Sequence, residues 1–232
     1  MRDKKAVVLL SGGVDSSTTL AIAKNEGREA HALSFRYQQR HQIEIQAAKK
    51  VAKFYSVASH LIIDFNLRAI GGSALTDNEE VPKGRSAEAI SQGIPATYVP
   101  ARNTIFLAFA LALAEKVKAE EIFFGANQLD YSGYPDCREE YVNAFEAMAN
   151  LATKAAVEGK LRVQIRTPLI HMTKAEIIKK GMELGLDYAL TWSCYDPAPG
   201  GLACGLCDSC QIRLKGFARA GFKDPIAYVH AV

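Results

Sequence analysis

The run Ala6-Val7-Val8-Leu9-Leu10 passes directly into Ser11-Gly12-Gly13-Val14-Asp15-Ser16-Ser17, after which Leu20, Ile22 and Ala23 return at helical spacing before Gly27. A short, continuously apolar segment rich in valine and leucine suits a strand covered on both faces, as in a parallel sheet. A helix entered across a glycine turn then forms the first half of a βαβ crossover, whose handedness restricts everything that follows. The alternation continues. Residues 30–35 read as a strand, 43–54 as a helix with Ile43, Ala47, Val51 and Phe54 on one face, and 60–65 as a third strand. Residues 66–100 lose any period and gather Gly71, Gly72, Pro82, Gly84, Gly93 and Pro95, which predicts a loop long enough to act as a lid.

Beyond this loop, residues 103–118 read as a helix, 121–124 as a strand ending at Gly125, 138–157 as a helix and 162–165 as a strand. Thr173 and Glu176 have the spacing of a capping box ahead of Ile177, Ile178 and Leu184. Five strands alternating with helices predict a doubly wound, Rossmann-like α/β fold around a five-stranded parallel sheet. Ligands of such sheets bind beyond the carboxyl ends of the strands, where the loops after Leu10, Phe35, Gly125 and Ile165 would meet.

Composition narrows the function. With 232 residues, 49% apolar and 23% charged, the chain can bury one core without staples, and the whole of 1–232 reads as a single domain. The most apolar stretch, 105–114, is half of the about 20 residues that a membrane-spanning helix takes. The apolar run behind Met1-Arg2-Asp3-Lys4-Lys5 is too short for a signal-peptide core, so a cytoplasmic location is expected. A net charge of +3, without a long basic run, gives no footprint for generic nucleic-acid binding, while a small anionic ligand fits.

The glycine loop has the chemistry for such an anion. Between a buried strand and a helix start, unpaired N–H groups and the positive helix end favour phosphate. Gly12 and Gly13 permit close approach, and Ser11, Ser16 and Ser17 offer hydroxyls. The pattern is neither a Walker loop nor a dinucleotide fingerprint, and a plain tight turn with a helix cap is the alternative.

Four of the five cysteines crowd together: Cys194, Cys204, Cys207 and Cys210, a segment 194–210 rich in prolines and glycines. In a chain read as cytoplasmic, this points to metal, and four thiolates suit a closed, structural zinc site in a C-terminal loop/helix region. Iron is the competitor, since C-x2-C-x2-C opens a ferredoxin run, but its next ligand position, Leu214, is not cysteine. Cys137 stands alone, and an isolated cysteine is first of all a small buried hydrophobe. His31, His41, His60, His171 and His230 show no ligand spacing.

The motif Ser11-Gly12-Gly13-Val14-Asp15-Ser16 resembles the signature of the ATP-pyrophosphatase family, which includes GMP, NAD and asparagine synthetases and tRNA thiolases. Together with Tyr98-Val99-Pro100-Ala101-Arg102-Asn103, the segment from Gly125 to Arg138 and the terminal cysteines, the pattern resembles the 7-cyano-7-deazaguanine synthases of that family along essentially the whole chain. The resemblance implies that ATP activates the carboxylate of 7-carboxy-7-deazaguanine, that ammonia displaces AMP, and that a second ATP drives dehydration of the amide to the nitrile. It implies that Leu10, Ser11, Gly12, Gly13, Val14, Asp15, Ser16 and Ser17 border the phosphates, with Asp15 placing Mg2+, Zn2+ in the cysteine site, and a homodimer.

Within that reading, Asp15, Ser16 and Arg102 are the catalytic candidates. Arg102 would hold the substrate carboxylate or a phosphate through its guanidinium fork, a solvated helix-start arginine being the alternative. Lys174 is a second candidate for phosphate. Asp130 and Asp136 would accept from the N–H groups of the base, Tyr131 and Tyr134 would stack on it, and Cys137 would border the pocket; each could instead order its loop or pack. Ser34 and Phe35 would border adenine. Two other functions fit the same loop: an ATP-dependent tRNA thiolase, whose wider family includes iron–sulfur members, and an ATP-binding sensor without chemistry.

Overall fold

In the computed structural model, residues 4–38, 43–91, 93–129 and 134–229 are described. In chain order they form β1 (Lys5–Leu9), α1 (Val14–Asn25), β2 (Glu29–Arg36), α2 (Ile43–Phe54), β3 (Ser59–Asp64), α3 (Ala87–Ser91), α4 (Arg102–Val117), β4 (Glu121–Phe123), α5 (Glu139–Ala152), α6 (Lys154–Val157), β5 (Gln164–Arg166), α7 (Lys174–Glu183) and α8 (Asp208–Ala220). The sheet is wholly parallel with order β3-β2-β1-β4-β5. This is the doubly wound arrangement expected, and the order reverses at β1, between β2 and β4.

Burial on both faces explains the apolar run of β1. Val7 and Leu9 enter one cluster with Leu33, Leu107, Leu111 and Ile122, whereas Ala6 and Val8 enter another with Leu20, Ala32, Ala48 and Val51. Helices α4 and α5 thus cover one face, and α1 and α2 the other. A third cluster joins Val14 of α1 to Ile177 and Ile178 of α7 and Phe217 of α8, anchoring the C-terminal helices to the glycine-loop helix. Below the sheet, Glu121 accepts from Arg28 and, at 2.6 Å, from Arg166. Among the described residues, no helix is long and apolar enough to cross a membrane.

Four expectations need correction. The helix over 138–157 breaks at Thr153, whose backbone is extended (φ −99°, ψ 143°) and whose hydroxyl donates back to Ala149 O. The last strand begins at Gln164, because the Asn150 amide takes both Val163 N and Val163 O, at 2.9 and 2.8 Å, and removes that residue from the ladder. Phe54 is 51% exposed, and the buried face of α2 runs instead through Ile45, Ala47, Ala48, Val51 and Ala52. Finally, residues 66–100 are not loop throughout: they include α3, and Leu67, Leu75, Val81 and Val99 of this segment are buried, with Ala74 N donating to Ala96 O at 2.8 Å.

Candidate active site

A cavity lies beyond the carboxyl ends of β1, β2 and β4, and Leu10, Ser11, Gly13, Val14, Asp15 and Ser16 line one side of it. Gly13 N-caps α1 in extended backbone, and no side chain caps this helix, so its first N–H groups are available to a ligand. The loop is shaped by its own hydroxyls. Ser11 Oγ and Ser16 Oγ are 2.9 Å apart, Ser11 N donates to Ser16 Oγ at 3.1 Å, and Gly13 N donates to Ser11 Oγ at 3.3 Å.

Gly12 and Ser17 do not line the cavity. Gly12 takes a left-handed φ of 85°, and a β-carbon there would stand 2.5 Å from Ala48 N and 2.7 Å from Glu44 O, so the missing side chain lets the loop lie against α2. Its carbonyl accepts from Trp192 N at 2.8 Å. Ser17 is fully buried, and its Oγ has no hydrogen-bond partner among the described residues. Gly125 serves close approach on the other side, a β-carbon there lying 3.2 Å from Ser16 N.

Thr173 and Glu176 form the expected capping box, and Lys174 opens α7 directly behind it. A cation in the first turn opposes the helix dipole. Asp15 offsets this: Lys174 Nζ donates to Asp15 Oδ1 at 2.6 Å, with the lysine side chain 7% and the aspartate side chain 22% exposed. Both residues line the cavity beside the loop.

Arg102 occupies a further part of the wall, placed by an unusual helix start. Ala101 adopts a left-handed φ of 51°, its N–H donates to Tyr98 Oη at 3.1 Å, and α4 begins at the next residue. The guanidinium lies 5.8 Å from the Phe106 ring centroid, and Phe106 stacks on Phe35 at 4.0 Å. Burial opposes its charge, but Tyr37, Tyr134, Tyr195 and then Asp136 more than offset this and hold its pKa above the ordinary value. Asp136 is buried, accepts from Asn103 N at 3.1 Å through Oδ2, and so caps α4; it does not line the cavity.

Tyr134 and Cys137 do line the cavity. Tyr134 is buried with its hydroxyl 2.9 Å from Thr97 Oγ1. Burial, reinforced by the charge of Asp136, pushes the Cys137 thiol up to about 12, so the neutral thiol is the stable form here even though Asn103 Nδ2 donates to its sulfur at 3.3 Å. Asp130 and Tyr131 lie outside the described residues. Phe35 reaches the cavity, whereas Ser34 turns to Leu10 O and His60.

The four clustered cysteines are buried, and their sulfurs lie within 4.8 Å of one another. A tetrahedron with Zn–S bonds of about 2.3 Å puts sulfurs about 3.8 Å apart, and Cys204 and Cys210 are 4.0 Å apart, which fits one ion; bridging sulfides and several irons need a wider frame. Backbone N–H groups already point at the sulfurs, from Cys204 to Cys194 Sγ and from Leu206 and Cys207 to Cys204 Sγ. Hydrogen bonds from Cys194 and Cys210 draw the Cys207 thiol down, while the same contacts raise Cys194 and Cys210. The donor set suggests zinc, held by Cys194, Cys204, Cys207 and Cys210.

This centre is tied to the cavity. Trp192 Nε1 donates to Cys194 O at 3.1 Å, while Trp192 N holds the glycine loop through Gly12. Arg85 clasps Asp208 through two hydrogen bonds of 3.1 and 2.6 Å, and Gly84 N donates to Leu206 O, so the 66–100 segment straps the cysteine loop. Arg213 is 1% exposed and donates to both oxygens of Asp224, at 2.8 and 3.0 Å, to Thr191 Oγ1 and to Tyr188 O.

Sequence reasoning missed Tyr37, Trp192 and Tyr195 as cavity residues, and gave Asn127 no role of its own although it placed the segment after β4 at the ligand. Tyr37 follows the end of β2 and Asn127 the end of β4, so their places after parallel strands were a usable signal. Trp192 and Tyr195 flank Cys194 and carry no such cue.

The model of the family described as queuosine biosynthesis protein QueC matches residues 5–221. The 7-cyano-7-deazaguanine synthase of Geobacter metallireducens is 63% identical over 225 residues, covering 97% of this chain and 93% of that one. The enzyme of the same name from Syntrophotalea carbinolica is 62% identical over 229 residues, covering 99% and 98%. Among solved structures, NMN synthetase from Francisella tularensis aligns with 85% of this chain and 66% of its own at a TM-score of 0.48 and 16% identity. The matched span, residues 5–221, includes all five strands, the glycine loop, Arg102 and the four clustered cysteines, and the chain belongs to the QueC family of queuosine biosynthesis proteins.

Proposed function

We propose that this chain, as one ATP-pyrophosphatase-type unit, converts 7-carboxy-7-deazaguanine and ammonia to 7-cyano-7-deazaguanine with ATP. The observation that carries the reading is the single cavity shared by the uncapped start of α1, Lys174 and Arg102. A carboxylate oxygen attacks the α-phosphorus and pyrophosphate leaves into the Ser11–Ser16 loop. Ammonia adds to the acyl carbon; AMP and a proton depart, leaving the amide. The amide oxygen attacks a second ATP, losing a nitrogen proton and pyrophosphate; loss of AMP and the last nitrogen proton then yields the nitrile.

The residues supply position and charge. The N–H groups of the α1 start and Lys174 would meet the departing pyrophosphate, and Ser16 would set the loop. Mg2+, bound with ATP, would neutralise phosphate oxygens, and Asp15 is the carboxylate at the loop that suits it. Arg102 would orient the substrate carboxylate, Asp136 and Asp130 would accept from the base, and Tyr134, Tyr131 and Cys137 would border it. Zinc at four thiolates has no open position and would stabilise the C-terminal region. A homodimer and a cytoplasmic location belong to the same reading.

The test is product analysis. Incubation with ATP, ammonium and the acid should give nitrile, AMP and pyrophosphate by mass spectrometry. Release of ADP, or no nitrile at any ammonium concentration, refutes the reading.

A further inference from the structure

Three phenols surround one guanidinium in the cavity. Tyr37 shares a hydrogen bond with Arg102, and Tyr134 and Tyr195 line the cavity with it. A guanidinium opposite a carboxylate is neutralised, but phenols leave it a cation. Asp136 does not line the cavity, and its Oδ2 accepts from Asn103 N at 3.1 Å. Arg102 Nε is buried with no hydrogen-bond partner among the described residues, an arrangement that a ligand oxygen would relieve. All three tyrosines line the same cavity as Arg102.

We propose that Arg102, Tyr37, Tyr134 and Tyr195 form a carboxylate-binding site that reads the charge of the group at the reacting carbon, gripping the acid and holding the amide weakly. The inference rests on the reaction proposed above and adds to it the discrimination between its two half-reactions. A carboxylate can take the Nε edge of the guanidinium bidentately and receive phenol O–H donors on its remaining lone pairs. The amide formed after the first step has one oxygen, no charge and an NH2 group that Arg102 repels. It is therefore released from the fork and can turn its oxygen toward the second ATP. Burial raises the Tyr37 and Tyr134 pKa values, which keeps both phenols protonated as donors.

The test compares the acid and the amide as alternative starting substrates for the full-length, metal-loaded protein, with saturating ATP. Arg102→Gln should raise KM for the acid by about 30-fold or more and KM for the amide by less than about threefold, with KM for ATP unchanged. Tyr37→Phe should raise KM for the acid by about five- to tenfold with the same selectivity. Calorimetric titration of the acid without ATP should show the same losses and guards against a misfolded variant, as does Arg102→Lys, which keeps the charge without the fork. Equal effects on acid and amide, or an effect on KM for ATP in place of the acid, overturn the site. Should the unsubstituted protein make nitrile from neither compound, the underlying reaction falls and this inference with it.

Discussion

Gly216 and Lys174 fit together only because one of them has no side chain: a β-carbon on Gly216 would stand 2.4 Å from Lys174 Cγ and 3.0 Å from Lys174 Cβ. The aliphatic stem of the lysine crosses α8 at this gap and delivers Nζ to Asp15 Oδ1 at 2.6 Å. Helix α8 begins immediately after Cys207, its N-cap, and carries Cys210 in its first turn. One helix therefore carries a thiolate of the cysteine centre at one end and the gap for the loop-facing cation further along.

Gly216→Ala should consequently weaken ATP use without releasing metal. Overpacking at such a site costs about 1–3 kcal/mol, and we expect part of this to appear as a displaced Lys174 and a KM for ATP raised about tenfold. In a Lys174→Ala background, where the stem is gone, the same substitution should add little. A double-mutant cycle on KM for ATP measures this, and strict additivity would refute the steric link.

Cys204→Ser should lose metal and loosen α8. Three remaining thiolates cannot close the tetrahedron, and the backbone N–H groups of Leu206 and Cys207 lose the sulfur they point at. The expected readouts are a metal content well below one zinc per chain by atomic emission and a lowered Tm; full retention of metal would refute the ligand set.

How much of this was legible depended on whether a residue belonged to a pattern. The β1–loop–α1 unit announced itself because a strand buried on two faces must be apolar throughout, and Thr173–Glu176 because a capping box has fixed spacing. Val163 reads as strand, but the Asn150 side chain reaches it from 13 positions away and satisfies its backbone, which local sequence cannot show. Helix α8 gave no periodic apolar signal because it buries Asp208, Ser209 and Arg213 on its inner side. The cysteines were plain from spacing, whereas Tyr37 and Tyr195, single tyrosines in unrelated segments, meet Arg102 only through the fold.

Gly181→Ala should destabilise the protein. A β-carbon there would stand 2.0 Å from the Tyr188 hydroxyl and 2.7 Å from its Cζ, and that hydroxyl is 2.7 Å from Thr18 Oγ1 and donates to Ile177 O at 3.1 Å. The ring cannot retreat without breaking the link between α1 and α7. A loss of about 2–3 kcal/mol is expected in urea unfolding. Tyr188→Phe alone should cost about 1–2 kcal/mol and should make the additional Gly181→Ala less damaging; no such relief would mean the strain lies elsewhere.

His60 should make stability fall on mild acidification. Its Nε2 lies 2.7 Å from Ser34 Oγ, and Ser34 donates its one hydroxyl proton to Leu10 O, so His60 must donate through Nε2–H. Burial, reinforced by the charge of Lys49, holds its pKa below the ordinary value. Above about pH 6.5 neither the folded nor the unfolded chain is protonated at this residue, and stability is flat with respect to it. As pH falls through that value the unfolded chain binds the proton first, so the unfolding free energy declines with a slope of at most about 1.4 kcal/mol per pH unit until the folded state protonates too. His60→Gln keeps an N–H donor for Ser34 and removes the titration. Urea midpoints between pH 5 and 8 should therefore be flatter for the variant than for the unsubstituted chain, and parallel curves would refute the assignment.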